Sequence, residues 1–363
     1  MNENNYAVIM AGGVGERFWP MSKVSRPKQF IDILGTGKTL IQQTYERFLQ
    51  VCKKENIYIV TNKIYRDLVM DQLEGISREQ VVCEPARKNT APCIAYAAHK
   101  IHDLNPNAVM VVAPSDHIIL KEDVFCDIIS SALDAAADRT NFYTLGITPS
   151  RPDTGYGYIQ YVTGSQNGRN GLLRKVKTFT EKPDEELAKS FLQSGDFLWN
   201  SGIFIWSSKA IIDAFEKFQP EINYVFQKAA GIYNTDKEQD YMDKAYPACK
   251  SISIDYAIME KADNVHVFIS DFGWSDLGTW GSLFDSMEKD QKNNAVMGEN
   301  VILYDSQNCI VNVPGEKLVV LQGLDNFIIS EYENSLLVCH KSQEQQIRKF
   351  VNDIKLTRGE EYV

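Results

Sequence analysis

Tyr6-Ala7-Val8-Ile9-Met10 runs directly into Ala11-Gly12-Gly13-Val14-Gly15-Glu16-Arg17-Phe18-Trp19-Pro20, and on to Arg26-Pro27-Lys28-Gln29-Phe30. An apolar run of strand length that empties into a glycine loop opens an α/β nucleotide fold, because glycine amides approach a phosphate chain without side-chain obstruction. The loop is not Gly-x-Gly-x-x-Gly: Arg17 stands where a dinucleotide fold would begin its helix. A nicotinamide dehydrogenase would also need a ribose-binding acid after the second strand, and none is clear. Arg17, Lys23, Arg26 and Lys28 follow with no acidic residue among them. They form a local cation cluster.

That cluster stands out against the whole chain. The 38 Lys and Arg are outnumbered by 48 Asp and Glu, for a net charge of −10. An acidic chain has no global attraction for nucleic acid or anionic membrane, so a phosphate-bearing ligand must be held locally. At 363 residues the chain is long enough for two domains. With 44% hydrophobic and 24% charged residues it is ordinary globular material, which excludes disorder, coiled coil and collagen-like repeats. The seven cysteines are scattered with no Cys-x-x-Cys pair and read as reduced, buried thiols. The N-terminus lacks a signal-peptide pattern and no stretch is apolar for long enough to span a membrane, so a cytoplasmic protein is expected.

Working outward, strand-length runs at Ile57–Val60, Val109–Ala113, Phe142–Ile147 and Val265–Ser270 alternate with helical patterns near Thr39–Lys53, Ile64–Leu73, Pro92–Asp103 and Val124–Ala137. Alternation of this kind implies a mostly parallel sheet covered on both faces, with ligands at the carboxyl ends of its strands. Pro114-Ser115-Asp116-His117 follows one such run, and Gly273-Trp274-Ser275-Asp276-Leu277-Gly278-Thr279-Trp280 another. Carboxylates at strand ends suit Mg²⁺, a hard cation that often needs only one or two of them. Asp116 reads equally well as a helix cap. His99 and His102 share a helix without a third ligand in view, so they read as structural. Gly35-Thr36-Gly37-Lys38-Thr39 has Asp32 where a P-loop needs its first glycine, and reads as a loop and helix start.

Three further segments have the chemistry of substrate contacts. Thr154-Gly155-Tyr156-Gly157-Tyr158 offers accessible backbone and an aromatic platform. Glu181-Lys182-Pro183, ending a strand-like stretch from Val176 to Thr180, pairs a hydroxyl-reading carboxylate with a phosphate-binding cation. Trp199-Asn200-Ser201-Gly202 adds an amide beside another strand. After residue 290 the pattern changes. Short apolar runs at Val301–Leu303, Cys309–Val311, Leu318–Leu321, Phe327–Ile329 and Leu336–Val338 recur every eight or nine residues, separated by turn formers. Such spacing suggests a β-solenoid or a small β-sandwich, closed by an amphipathic helix from about Ser342 to Ile354. The expected division is residues 1–290 and 291–363.

Taken in order, Gly12 to Phe30, Glu84-Pro85-Ala86-Arg87-Lys88-Asn89-Thr90-Ala91-Pro92, Phe179 to Pro183, Trp199 to Gly202 and Gly273 to Trp280 resemble the sugar-nucleotidyltransferase family. They closely resemble its bacterial branch that transfers GMP from GTP to mannose 1-phosphate, giving GDP-mannose and pyrophosphate. The resemblance implies a Rossmann-like α/β nucleotidyltransferase domain followed by a short left-handed β-helix. In relatives, the amides of Gly12, Gly13 and Gly15 with Arg17 and Lys28 hold the triphosphate. Glu84, Pro85, Asn89 and Thr90 border the base, near Ser115. By the same resemblance Asp116 and Asp276 would bind Mg²⁺. Tyr156, Gly157, Glu181, Lys182 and Asn200 hold the sugar phosphate. Arg17, Lys28, Asp116, Lys182 and Asp276 would then carry the chemistry. The resemblance also admits a homodimer. Longer relatives add a cupin domain with phosphomannose isomerase activity, which is not expected here. Two other readings stay open: transfer to another sugar 1-phosphate such as glucose 1-phosphate, and a non-catalytic subunit that senses nucleotide sugars.

Overall fold

The structure, a computed structural model, describes residues 1–164 and 172–363. Two compact units alternate along the chain. The first comprises Met1–Gly12, Thr44–Ser115 and Ile119–Trp274; the second comprises Gly13–Gln43, Asp116–Ile118 and Ser275–Val363. The second unit gathers segments that lie far apart along the chain. The reason lies in apolar side chains: Phe18, Trp19, Met21, Ile31 and Ile33 of the glycine-loop segment belong to one buried cluster with Leu277, Trp280, Ile310, Ile328 and Ile347.

The first unit holds a nine-stranded sheet, in the order Val81–Glu84, Ile57–Asn62, Asn5–Met10, Val109–Pro114, Phe197–Ser207, Phe142–Ile147, Val265–Ser270, Leu173–Glu181 and Gly157–Tyr161. The first four are parallel, with Ala7 paired to both Ile57 and Val111. Strand Phe197–Ser207 is antiparallel to both of its neighbours in that order, so the sheet is mixed where the alternation of strands and helices suggested a mostly parallel one. Its polar residues are satisfied inside the sheet: Ser201 Oγ donates to the Leu145 carbonyl at 2.7 Å, and the Asn200 side-chain oxygen accepts from the Gly202 amide at 3.1 Å. That explains why an Asn-Ser-Gly run sits within a strand rather than beside one.

Tyr6, Val8, Met110 and Val112, alternating along their strands, enter one apolar cluster with helices Thr90–Leu104 and Ser208–Phe218. Helix Glu122–Ala136 packs on strands Val109–Pro114, Phe142–Ile147, Phe197–Ser207 and Val265–Ser270. Asn89 caps Thr90–Leu104 from a positive-φ backbone (φ 66°), its side-chain oxygen accepting from the Thr90 amide. His99 bonds Asn223 and His102 bonds Ser208, so both histidines are structural. Asp32 accepts from the amides of Thr36 and Gly37 at 2.9 and 2.6 Å, which makes the Gly-Thr-Gly-Lys segment an Asp-capped loop.

In the second unit, parallel strands Ala295–Met297, Ile310–Asn312 and Phe327–Tyr332 form one sheet and Val301–Tyr304 and Val319–Gln322 another. Val301 pairs with Val319 and Ile310 with Ile328, steps of 18 residues, so runs nine apart alternate between two faces of a coil. That is a β-helix rather than a sandwich. Asn293, Asn308 and Asn326 mark one corner in the left-handed region, which asparagine tolerates better than branched residues. Asn293 donates to the Asn308 side chain at 2.8 Å, and Asn308 in turn to Asp325 at 2.9 Å. The closing helix is Ile347–Arg358, entered through a 3₁₀ segment from Lys341 to Gln346. All seven cysteines are free and buried. Among the described residues no helix is long and apolar enough to cross a membrane.

Candidate active site

The candidate site residues fall into two groups, one in each unit. In the second unit, Gly15, Arg17, Lys28, Asp116, Asp276 and Arg348 surround a cavity of about 360 Å³. Gly15 sits at φ 74°, and a Cβ there would lie 2.8 Å from Cγ of Lys28. Only glycine lets the Lys28 stem pass under the loop. The Lys28 ammonium is buried and has three acceptors: the Asp116 carboxylate at 3.0 Å and the carbonyls of Asp276 and Leu277 at 3.1 and 2.8 Å. Its three donors are thus all engaged. Burial would raise the Asp116 carboxyl, but Lys28 and then His117 outweigh it and hold the group below its ordinary value.

Asp276 shapes its own turn: its carboxylate accepts from the Gly278 amide at 3.0 Å, around Leu277 at φ 46°. Arg17 donates to the Gly278 carbonyl at 3.3 Å, while its Nε is buried without a partner among the described residues. Gln29 donates to the Gly13 carbonyl at 2.9 Å. Asp116 and Asp276 line the same cavity, yet among the described residues no three His, Cys, Asp or Glu gather as a metal cluster. Two carboxylates beside a phosphate-sized cavity fit Mg²⁺, which completes its shell with phosphate oxygens and water; they do not fit a closed transition-metal site.

In the first unit, Gly12, Glu84 and Ser115 lie at the carboxyl edge of the parallel strands. The Ser115 amide donates to the Met10 carbonyl at 3.0 Å. A Cβ on Gly12 would lie 3.4 Å from the Glu84 carboxylate, a close approach of backbone to acid. Glu84 is buried and accepts from the Tyr246 hydroxyl; burial pushes its carboxyl up to about 7. Pro85 begins the loop from Glu84 to the Asn89 cap, and Thr90 Oγ1 accepts from the Ile254 amide at 2.8 Å. A carboxyl raised on folding stabilises the fold below its unfolded value, and that stability is lost as pH rises through 7. Glu84→Gln should therefore flatten the decline of melting temperature between pH 5 and 8. Parallel curves for the two proteins would show that Glu84 does not titrate there.

Further along the same sheet, Gly157 is paired with Glu181, and a Cβ at Gly157 would collide with the Glu181 carboxylate. Lys182, at φ 48°, holds Glu181 in a 2.6 Å ion pair while its side chain stays 63% exposed, free to change partners. Asn200 donates to Asp255 at 2.8 Å. Burial, then Glu181, pushes the Asp255 carboxyl up to about 6. Tyr156 packs edge-on to Trp199 and Trp274, with the Arg151 guanidinium 5.3 Å from the Trp199 ring. Asp255 and Arg151 went unread in the sequence. A carboxylate between Ile254 and Ala257-Ile258 was the available signal for Asp255, since unpaired acids are rarely buried.

The nucleotidyl transferase family model matches residues 6–293, and a mannose-phosphate isomerase/GMP-like β-helix domain matches residues 299–354. The chain belongs to the nucleotidyl transferase family and carries the β-helix domain behind it. It is 35% identical over 98% of its length to a mannose-1-phosphate guanylyltransferase of Klebsiella pneumoniae, covering 75% of that protein. It is 34% identical over 96% of its length to the alginate biosynthesis protein AlgA of Pseudomonas aeruginosa, covering 71% of it. Among solved structures it resembles one described as a mannose-1-phosphate geranyltransferase from Thermus thermophilus, with 27% identity, a TM-score of 0.85 and coverage of 97% and 99% of the two chains. Enzymes of this family generally use a divalent metal ion.

Proposed function

We propose that the protein is a mannose-1-phosphate guanylyltransferase, which joins GMP from GTP to mannose 1-phosphate and releases pyrophosphate with the help of Mg²⁺. The observation that carries the reading is a carboxylate-and-cation cavity behind a glycine loop, in a chain 35% identical to such an enzyme that also holds a group of residues suited to a phosphorylated sugar. A phosphate oxygen of the sugar phosphate attacks the α-phosphorus in line. A new P–O bond forms as the bond to the bridging oxygen of the β-phosphate breaks, and the electron pair leaves with pyrophosphate. The attacking phosphate has a second pKa of about 6, so it is largely dianionic at neutral pH and needs no general base.

The protein's task is to hold anions in place and balance their charge. Arg17 and the Gly13–Gly15 loop face the triphosphate. Mg²⁺ held by Asp116 and Asp276 would neutralise charge on the phosphates. Lys28 acts by holding Asp116 and the 276–277 turn in position. In the first unit, Glu84 with the Pro85–Thr90 segment borders the base, while Glu181 and Asn200, the latter oriented by Asp255, read sugar hydroxyls. Lys182 leaves Glu181 to take the sugar phosphate. Lys182→Ala should raise KM for the sugar phosphate about tenfold or more, the strength of one charge-assisted bond, and leave KM for GTP within about twofold. Equal changes in both would remove Lys182 from the sugar side.

Pyrophosphate release with Mg²⁺, across GTP, ATP, UTP and dTTP crossed with mannose and glucose 1-phosphates, tests the whole reading. Release confined to GTP with mannose 1-phosphate is the expected result. A different best pair would keep the reaction and overturn the substrate. No release from folded protein with any pair would overturn the enzyme itself.

A further inference from the structure

We propose that Arg348, the second residue of the closing helix, is a phosphate-binding residue for the β- and γ-phosphates of the incoming nucleotide and for pyrophosphate. The proposal rests on the nucleotidyltransfer reading above and adds a ligand contact from the chain's C-terminal segment.

Four observations support it. Arg348 lines the same cavity as Gly15, Arg17, Lys28, Asp116 and Asp276, although 331 residues of sequence separate it from Arg17 (348 − 17). It is exposed and has no hydrogen-bond or ion-pair partner among the described residues. Burial, and then the like charge of Arg348, make Arg17 less basic than usual, as expected of two cations that line one cavity. A pair of arginines with the buried Nε of one left unpartnered suits an anion with several oxygens, because each fork can take two.

The helix is also anchored firmly enough to aim the side chain. Ile347 and Val351, four apart on one face, are buried in the cluster that holds Phe18, Trp19 and Trp280. Glu344 accepts from the Gly281 amide at 2.8 Å, and Trp19 Nε1 donates to the Tyr362 carbonyl at 2.7 Å. With Ile347 turned into the cluster, the next residue is carried about 100° round the helix and reaches the cavity.

The test compares wild type, Arg348→Ala, Arg348→Lys and Lys349→Ala for binding of inorganic pyrophosphate with Mg²⁺ by calorimetry, and for KM of each substrate. Lys349 carries the same charge one residue on but does not line the cavity. Arg348→Ala should weaken pyrophosphate roughly ten- to hundredfold and raise KM for GTP alike, with KM for mannose 1-phosphate within about twofold. Arg348→Lys should recover part of the loss, and Lys349→Ala should bind as wild type does. Pyrophosphate binding unchanged in Arg348→Ala would overturn the proposal, as would an equal loss in Lys349→Ala or no binding by wild type. If wild type binds pyrophosphate through Arg348 yet turns over no substrate pair, the contact stands and the guanylyltransferase reading falls.

Discussion

Asp276→Asn should abolish turnover while leaving the fold intact. The asparagine keeps the oxygen that accepts from the Gly278 amide at 3.0 Å, so the turn around Leu277 and its left-handed backbone survive. What disappears is one negative charge lining the cavity. Removing a single electrostatic contact of this kind costs on the order of 10²–10³ in rate, and loss of a metal ligand at least as much. Pyrophosphate release as a function of Mg²⁺ measures it, with melting temperature as the control for folding. Near-normal rates with unchanged Mg²⁺ dependence would take Asp276 out of the metal site. Treating the wild type with a chelator should mimic the variant and, unlike the variant, recover on addition of Mg²⁺.

Lys28→Met should produce the largest loss of stability. Methionine keeps most of the stem that passes beneath Gly15 but removes the ammonium, stranding the Asp116 carboxylate, whose side chain is only 21% exposed, along with two carbonyls. Breaking a buried pair from one side costs roughly 3–5 kcal/mol, and partial exposure of Asp116 puts the expected loss near the lower figure, about 3 kcal/mol. Adding Asp116→Asn to Lys28→Met should restore part of it, because the uncompensated charge is then gone. Denaturant unfolding of the four proteins in this cycle checks both statements. If Lys28→Met is as stable as wild type, the ion pair contributes nothing and Lys28 is free to contact the triphosphate directly.

Much of the fold was readable because it depends on short-range pattern. Apolar runs at Tyr6–Met10, Ile57–Val60, Val109–Ala113, Phe142–Ile147 and Val265–Ser270 all lie in strands of the sheet. The first four runs after residue 300 are rungs of the β-helix, their nine-residue spacing half of its 18-residue coil, whereas the fifth, Leu336–Val338, turns back antiparallel on Phe327–Tyr332. Strand Phe197–Ser207 was harder to read. Asn200, Ser201 and Gly202 interrupt its apolar pattern, and only hydrogen bonds within the sheet make them tolerable there. The same holds for Asp255, an acid in an apolar stripe whose partner Asn200 is 55 residues away.

By itself, then, the sequence determined the class: a strand, a glycine loop and a cluster of cations within 23 residues (6 to 28), followed by strand-end acids and a regular β-repeat. Local sterics and hydrophobic periodicity decide such features, and both act over a few residues. Only the tertiary structure decided who faces whom. It gave Lys28 to Asp116 and to carbonyls nearly 250 residues on, grouped the glycine loop with the C-terminal segment rather than with its own strand, and set Arg348 in the same cavity as Arg17. Those pairings come from burying Phe18, Trp19, Trp280 and Ile347 in one cluster, and no pattern along the chain encodes which distant apolar residues will share a core.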